Sequence, residues 1–370
     1  MAPAVADAGF TAIVNGPASH PTPPWIDRPG ESSAAREARI LRAGFAGWMA
    51  RFRCVDVLEV CAHWHPELLV CEELDFGAMV AAERVGLPYA SVLVIAAGTF
   101  TRHDLIADPL NALRAEHGLL PDPTLSMLSR YLVLSPCPPA YRDPACPLPA
   151  TGHAIRPAAL DRSPGLAAPD RNPFQIPSRP PIVYCTLGTV DNLTCGDLFE
   201  RMIAGLRELP IELIVTVGHQ RDPAGLGPQP ANIRVERYIP QALVLPRCSL
   251  VVSHAGSGTV IGALAHGVPM VLLPRAADQP HNARRCEDLG VGLSLDPLTA
   301  SAEAIREAAT RVLAQPSFRL AAERLRNESA ALPGPDHAID LLQRLQQVRQ
   351  PILADSTEIV LFREERPMAH

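Results

Sequence analysis

The sequence predicts an α/β protein of two domains, each a doubly wound parallel sheet covered by helices. Short apolar runs alternate with amphipathic, helix-like segments in two separate series, one before residue 141 and one after residue 182. Such alternation is typical of parallel sheets. Between the two series, residues 142–181 are rich in proline, which disfavours regular structure and predicts an irregular rim and linker. A length of 370 residues also suits two domains.

The first series predicts an N-terminal domain over residues 1–141. Met1–Gly9 is typical of a helix end with its glycine stop. The elements expected after it are a strand at Phe10–Val14, a helix at 34–62, a strand at 68–71, a helix at Phe76–Val85 closed by Gly86, and a strand at Pro88–Ile95. Because the chain opens on the end of a helix, we expect this domain to lack its opening strand and helix.

The second series predicts a C-terminal domain over residues 182–335. Its expected strands are Ile182–Leu187, Ile211–Val217, Ile233–Tyr238, Leu250–Val252, Val268–Leu273 and Gly292–Leu295. Its expected helices are Cys195–Leu209, Thr259–His266, 281–289, 302–314 and 317–330. A further amphipathic helix at 336–350 and a loose tail at 351–370 complete the chain.

The composition narrows the function classes. Hydrophobic residues make up 47% and charged residues 19%, which is ordinary for a protein with full apolar cores. The net charge of −6 argues against nucleic acid as the main partner. The chain contains no lysine, so all 33 basic residues are arginine. This excludes both a lysine Schiff base and a P-loop lysine.

The cysteines and the hydropathy pattern predict a cytoplasmic protein. Nine cysteines without a Cys-x-x-Cys pair indicate free thiols in a reducing compartment and no structural zinc site. No signal peptide and no apolar run of transmembrane length occurs in the sequence, so we expect no membrane span. His63 and His65 have no third ligand spaced nearby, and we expect no metal there.

One turn in the second series contains residues that indicate a binding site. The apolar run Leu250–Val252 predicts a buried strand, and the chain then passes through small residues, Ser253–Thr259, into a helix-like segment. Small residues leave backbone N–H groups uncovered at the positive end of a helix dipole, which predicts a phosphate site. His254, at the strand end, can donate to a phosphate oxygen.

The next strand brings a second polar pair to the same edge of the sheet. Asp278 and Gln279 follow the strand Val268–Leu273. A carboxylate beside an amide can hold vicinal sugar hydroxyls through several hydrogen bonds. Phosphate on one side and sugar on the other predict a nucleotide-sugar site.

Several segments in this order and spacing resemble a known family. They are Thr186–Thr189, Tyr238–Gln241, His254–Thr259, Gly267–Pro269 and Asp278–Gln279 with Asn282–Ala283. Together they resemble the nucleotide-binding half of the GT-B glycosyltransferases, in the superfamily that includes UDP-glucuronosyltransferases, plant natural-product glycosyltransferases and bacterial antibiotic glycosyltransferases. The resemblance covers Ile182 to about Gly334, and only loosely Pro66–Ala90. It implies two Rossmann-like domains facing a cleft.

The resemblance implies roles for the matching residues. Tyr238 would lie near the base, where plant members stack a tryptophan, with Ile239 offering backbone hydrogen bonds and Gln241 close by. Asp278 and Gln279 would hold the hydroxyls of the donor sugar. The residues that would hold the diphosphate are Thr189, His254, Gly256, Ser257, Gly258 and Thr259.

Two departures from the family pattern qualify these roles. Gly262 stands where many members place a glutamate on the ribose, which suits a thymidine donor at least as well as a uridine donor. The family's catalytic base is a histidine after the first N-terminal strand, and we expect it in the missing opening segment. The acid that orients this base would be Glu72, by alignment of the strand at 68–71.

The expected function is therefore a metal-independent, inverting glycosyltransferase. It would move a hexose or deoxyhexose from TDP or UDP to a hydroxyl of a small apolar natural product, with no cofactor beyond the donor substrate. No Asp-x-Asp string is present to hold a metal. Expected partners are the donor and the acceptor, with no nucleic acid and no membrane, and a homodimer is left open.

Two alternatives remain at this stage. The first is a non-catalytic auxiliary or relic protein that binds donor or partner but lacks the base. The second is a dinucleotide site, since Gly256, Gly258 and Gly262 form a glycine string and Arg275 could pair with an NADP phosphate. That string is preceded by several strands, whereas dinucleotide fingerprints usually open their domain.

Overall fold

The structure, a computed structural model, describes residues 5–6, 8–13, 31–157, 180–188 and 195–354. These residues form two compact units. The described residues of the first unit fall within the ranges 1–136, 144–155 and 333–370. Those of the second unit fall within 137–143 and 156–332. Within the described residues no helix is long and apolar enough to cross a membrane.

The first unit opens on a long helical region, as predicted. It consists of α1 at Ser33–Arg39, a π-helical stretch at Ile40–Met49 and α2 at Ala50–Trp64. Ser32 caps its beginning, since its side chain accepts from the Ala35 N–H. His65, at φ 49°, ends it.

The first sheet contains four parallel strands in the order β1-β2-β3-β4. These strands are Leu69–Glu72, Tyr89–Val92, Leu132–Ser135 and Gly152–Ala154, joined by the helices α3 at Phe76–Val85 and α4 at His103–Glu116. The bounds of α3 are those predicted, because Asp75 caps its first turn and Gly86 adopts φ 71° after its last.

Three expectations for this unit need correction. No strand forms over residues 10–13, where Phe10 is 70% exposed, and Val14 lies outside the described residues. The proline-rich stretch 142–181, expected to be irregular, contributes the strand β4. The helix α4 and the strand β3 were not predicted, although Leu110 and Leu132 are buried in the unit.

The last helix, α11 at Pro335–Val348, packs on the first sheet. Leu341 and Leu345 join Ala90 and Leu132 in one apolar cluster, together with Ile352. Ile352 is 1% exposed, and its N–H donates to the carbonyl of Tyr131 at 2.8 Å. The expectation of a loose tail from Pro351 is therefore wrong for residues 351–354, and 355–370 lie outside the described residues.

The described residues of the second unit form six parallel strands in the order β10-β9-β8-β5-β6-β7. In chain order the strands are Ile182–Thr186, Glu212–Thr216, Ile233–Glu236, Cys248–Ser253, Met270–Leu272 and Gly292–Ser294. The helices are α5 at Leu198–Leu206, α6 at Gln241–Val244, α7 at Ser257–Ala265, α8 at Gln279–Asp288, α9 at Ala302–Ala314 and α10 at Pro316–Ala331. Every predicted strand and helix of this unit is found, with ends shifted by up to three residues.

The strand order of the second sheet locates its candidate site. The chain runs from β5 outward through β6 and β7, then returns to β8 beside β5 and runs the other way through β9 and β10. In doubly wound sheets, ligands bind at the carboxyl ends of the two strands where this direction reverses. Thr186 pairs with Ser253 at those ends, so Gly188 and His254 follow at the same edge.

Candidate functional site

His254 is packed between two glycines at this edge. A Cβ added to Gly188 would lie 2.6 Å from His254 Nε2, and a Cβ added to Gly256 would also collide with that nitrogen. Gly188 further adopts φ +77°, which residues with side chains rarely adopt. Because these two residues have no side chain, the imidazole can lie directly against the turns that follow β5 and β8.

The turn after His254 delivers the chain into α7. Ala255 adopts φ 65°, and its N–H donates to Ser253 Oγ at 3.2 Å. The helix begins at Ser257, and the N–H groups of its first turn lie at the positive end of the helix dipole. A Cβ at Gly258 would meet no atom within 4 Å, so space is open beside this first turn. Backbone N–H groups at the N-terminus of a helix can bind an anion.

Asp278 and Ser257 are joined directly. Ser257 Oγ donates to Asp278 Oδ2 at 2.6 Å, and Asn282 Nδ2 donates to the same carboxylate oxygen at 2.9 Å. Asn282 also donates to Ser257 Oγ at 3.0 Å and to the Ala255 carbonyl at 2.9 Å. One oxygen of the Asp278 carboxylate is thus bonded within the protein. Ser257, at the start of α7, and Asp278, the predicted sugar-binding residue, belong to one hydrogen-bond network.

Gln279 is the first residue of α8, and its side chain reaches back to the turn that precedes the helix. It is 7% exposed, and its Oε1 accepts from the backbone N–H groups of Arg275 at 2.8 Å and Ala276 at 3.1 Å. Its side chain therefore shapes the turn that presents Asp278, and its oxygen is already bonded in this arrangement.

Tyr238 forms an aromatic pair beyond the ends of β6 and β7. Its ring stacks on His219 with centroids 4.8 Å apart and an interplanar angle of 26°. Tyr238 is 39% exposed, whereas the following Ile239 is buried. Gln241 Nε2 donates to Thr259 Oγ1 at 3.1 Å, which ties this loop to the first turn of α7.

Gly262 lies one turn further along α7, beside Leu245. A Cβ at this position would lie 2.9 Å from Leu245 Cδ1 and 3.5 Å from Gln241 Oε1. The side chain of Leu245 therefore occupies the space into which a longer side chain at position 262 would extend. Thr189, the remaining predicted diphosphate residue, lies outside the described residues.

Glu72 belongs to the first unit, where it ends β1. Burial raises the pKa of its carboxyl to about 7, and the nearby Asp75 charge adds to the effect. The neighbouring Glu73 is more deeply buried, at 6% exposure. Its Oε1 accepts from the N–H groups of Val94 and Ile95, so Glu73 fixes the loop after β2.

Two contacts at the site were not predicted from the sequence. Tyr141 donates its hydroxyl to Asn282 Oδ1 at 2.6 Å, although it lies far away in sequence, and no local signal indicates this contact. The stacking of His219 on Tyr238 has a weak signal, since Tyr238 ends one predicted strand and His219 follows another by two positions. Within the described residues, no group of three His, Cys, Asp or Glu side chains is arranged to hold a metal ion.

Comparison with known proteins gives the family of the chain. Residues 200–345 match the family described as "Erythromycin biosynthesis protein CIII-like, C-terminal domain". The chain is 31% identical to the TDP-daunosamine transferase DnrS of Streptomyces peucetius, over 78% of this chain and 70% of that protein. It is 30% identical to the aclacinomycin-T 2-deoxy-L-fucose transferase of Streptomyces galilaeus, over 78% and 68%.

A solved structure shows the same fold. The spinosyn rhamnosyltransferase SpnG, in complex with thymidine diphosphate, matches with a TM-score of 0.69 and 25% identity, over 83% of this chain and 81% of that one. The fold is therefore the GT-B fold, with two Rossmann-like α/β units. The chain belongs to the family of bacterial antibiotic glycosyltransferases. It is a transferase acting in natural-product glycosylation, and this assignment displaces the dinucleotide-binding alternative.

Proposed function

We propose that this glycosyltransferase moves a hexose or deoxyhexose from a TDP-sugar to a hydroxyl of a small apolar natural product. The transfer would invert the anomeric centre and need no metal ion. Two relatives, one named for a TDP-sugar and one solved with thymidine diphosphate, support the choice of nucleotide. We also infer a cytoplasmic location, in keeping with nine cysteines that are all free thiols.

The main observation behind the proposal is the candidate anion-binding site at the start of α7. The N-terminal end of the helix, the imidazole of His254 and the open space at Gly258 lie together at the carboxyl edge of the second sheet. Such a site can stabilise the negative charge that develops on a departing diphosphate. Asp278, joined to Ser257 in the same network, would then face the sugar.

The other end of the donor would lie by Tyr238. Its ring has His219 on one face and is partly exposed, so it can stack on a pyrimidine. The resemblance places the ribose near Gly262, where Leu245 presents a methyl group instead of a carboxylate. A sugar without a 2′-hydroxyl fits this apolar neighbour better than ribose does, because no hydroxyl loses its hydrogen bond.

The reaction would be a single displacement. A base removes the proton of the acceptor hydroxyl while its oxygen attacks the anomeric carbon, and the nucleoside diphosphate leaves from the opposite face. His254 and the N–H groups of α7 would stabilise the leaving group. Glu72 would orient the base from the first unit, which requires its carboxyl to be ionised.

Calorimetric titration of the full chain with TDP, UDP and NADP tests the donor site. We expect TDP to bind most tightly. Gly188→Ala should weaken TDP binding by about tenfold or more, because its new Cβ displaces His254. Gly196→Ala is the matched control, since Gly196 also has a positive φ, +56°, but nothing lies within 4 Å of an added Cβ. Binding of NADP alone, or equal losses in both variants, would contradict the proposal.

A further inference from the structure

Tyr141 is a buried tyrosine whose hydroxyl reaches the donor site. It ends the short 3-10 turn Pro139–Tyr141, in the segment that the chain contributes to the second unit between β3 and β4. Its ring is 2% exposed, and its hydroxyl donates to Asn282 Oδ1 at 2.6 Å. None of the roles implied by the family resemblance includes this residue.

The position of the ring does not depend on its own hydroxyl. Arg285, one turn after Asn282 in α8, donates to the carbonyls of Ala140 at 2.7 Å, Tyr141 at 2.9 Å and Arg142 at 3.1 Å. On the other side, Glu328 accepts from the Ala140 N–H at 2.7 Å. These bonds fix the segment, so removal of the hydroxyl alone should leave the ring in place.

The hydroxyl bonds the Asn282 amide in the orientation that the other partners of the amide require. Asn282 is fully buried. With its nitrogen toward the donor site, the amide donates to the Ala255 carbonyl, Ser257 Oγ and Asp278 Oδ2. A flipped amide would place its oxygen against a carbonyl and a carboxylate, which repel it. The tyrosine hydroxyl stabilises the first orientation, because it is the donor that the amide oxygen needs when buried.

We propose that Tyr141 is a positioning residue of the donor site, acting through Asn282. By holding the amide, it keeps Ser257 at the start of α7 and the Asp278 carboxylate in one arrangement. This inference rests on the proposed function, in which these two residues face the diphosphate and the sugar. It goes beyond that proposal because it assigns a role in the donor site to Tyr141, which lies in the sequence between β3 and β4 of the first unit.

The experiment uses Tyr141→Phe in the full chain. We expect the KM for the TDP-sugar to rise by about tenfold, the worth of one well-placed hydrogen bond, while the KM for the acceptor stays within twofold. Tyr89→Phe is the control, because its buried hydroxyl bonds the Met127 carbonyl at 2.6 Å and the Glu83 carboxylate at 3.0 Å, both within the first unit. The control should lose stability without a change in donor KM.

A double-mutant cycle separates positioning from general stability. If Tyr141 acts through Asn282, its effect on donor KM disappears in an Asn282→Ala background, and the two changes are not additive. Ser257→Ala, at the far end of the network, provides a second cycle that does not depend on the folding of Asn282→Ala. Additive effects, or a donor KM within twofold of the wild type in Tyr141→Phe, would overturn the inference.

The titration of the unaltered chain with TDP-sugar tests the proposed function separately. Binding there, combined with an unchanged Tyr141→Phe, removes only the role of Tyr141. Failure of the unaltered chain to bind TDP-sugar removes both proposals, because Tyr141 then has no donor to position.

Discussion

At the scale of single residues, the two neighbouring carboxylates at the end of β1 have different environments. Glu73 is buried and bonded to two backbone N–H groups, whereas Glu72 remains more open. Burial nonetheless raises the pKa of Glu72 from 4.5 to about 7. A carboxyl with this pKa changes its charge near neutral pH, which suits a residue that takes part in proton transfer.

Glu72 should therefore impose a pH dependence on catalysis. Its ionised form would orient the base, so kcat/KM of the wild type should rise as pH passes through about 7. Glu72→Gln should remove this rise and lower the plateau by about 10²-fold, the lower end of an acid–base contribution. A pH–rate profile of both proteins measures this. An unchanged rise in the variant would mean that another group is titrating.

The same shift has a consequence for stability with a defined sign. Because the pKa of Glu72 is raised on folding, its favourable contribution is complete below pH 4.5 and is lost as pH rises through about 7. Glu72→Gln should accordingly match the wild type in acid and be the more stable of the two at pH 8. Urea unfolding at both pH values gives the comparison.

Local sequence indicated some of these residues and not others. His254, Ser257 and Asp278 stand in short motifs whose chemistry is visible without a structure. The bond from Tyr141 to Asn282 joins residues separated by 141 positions, and only the folded chain brings them together. The sugar-binding role of Gln279 stays a prediction, and the bond from its oxygen to the turn before α8 is a contact that spacing alone does not reveal.

At the scale of elements, α3 and α4 are joined by a buried ion pair. Arg114 of α4 donates to Glu83 of α3 at 2.7 Å, and both side chains are 5% exposed. The Glu83 carboxylate also accepts from the Tyr89 hydroxyl at 3.0 Å and pairs with Arg130 at 3.0 Å. A buried charge of this kind is stable only while its partners remain.

Arg114→Ala should therefore destabilise the first unit strongly. We expect a loss of about 3 kcal/mol in the free energy of unfolding, because Glu83 loses its closest partner while buried. Arg42→Ala is the control, since Arg42 pairs with Asp108 of the same helix α4 but the two side chains are 52% and 80% exposed. It should cost less than about 1 kcal/mol. Equal losses in urea unfolding would contradict the assignment.

Elements were predicted where their signals are local. The helix α3 has a capping aspartate and a terminal glycine, and its bounds were found from sequence. The strand β4, Gly152–Ala154, has neither length nor apolar alternation, and it forms because β3 offers it a parallel partner. Tertiary pairing of this kind overrides local preference.

At the scale of the whole molecule, the two units are not continuous in sequence. The helix α11 was predicted at 336–350 and forms at Pro335–Val348, but its amphipathic pattern cannot show which sheet it covers. It packs on the first sheet together with Ile352, after the chain has completed the second sheet. A cut at a single point in the sequence therefore cannot separate the two units intact.

The contribution of the final described residues can be measured with adjacent variants. Ile352→Ala should lower the free energy of unfolding by about 2–4 kcal/mol, since a side chain 1% exposed leaves a cavity. Leu353→Ala is the control, because Leu353 is 61% exposed and should change stability by less than about 0.5 kcal/mol. Similar small losses in both variants would show that residues 351–354 contribute little to the first unit.

The return of α11 to the first sheet sets an order for folding during synthesis. The ribosome releases the six described strands of the second unit before it releases Leu341, Leu345 and Ile352. Until then Ala90 and Leu132 lack their apolar cover. The unit whose synthesis starts first is thus completed last. Nascent chains halted before residue 335 should expose this face to chaperones and to one another.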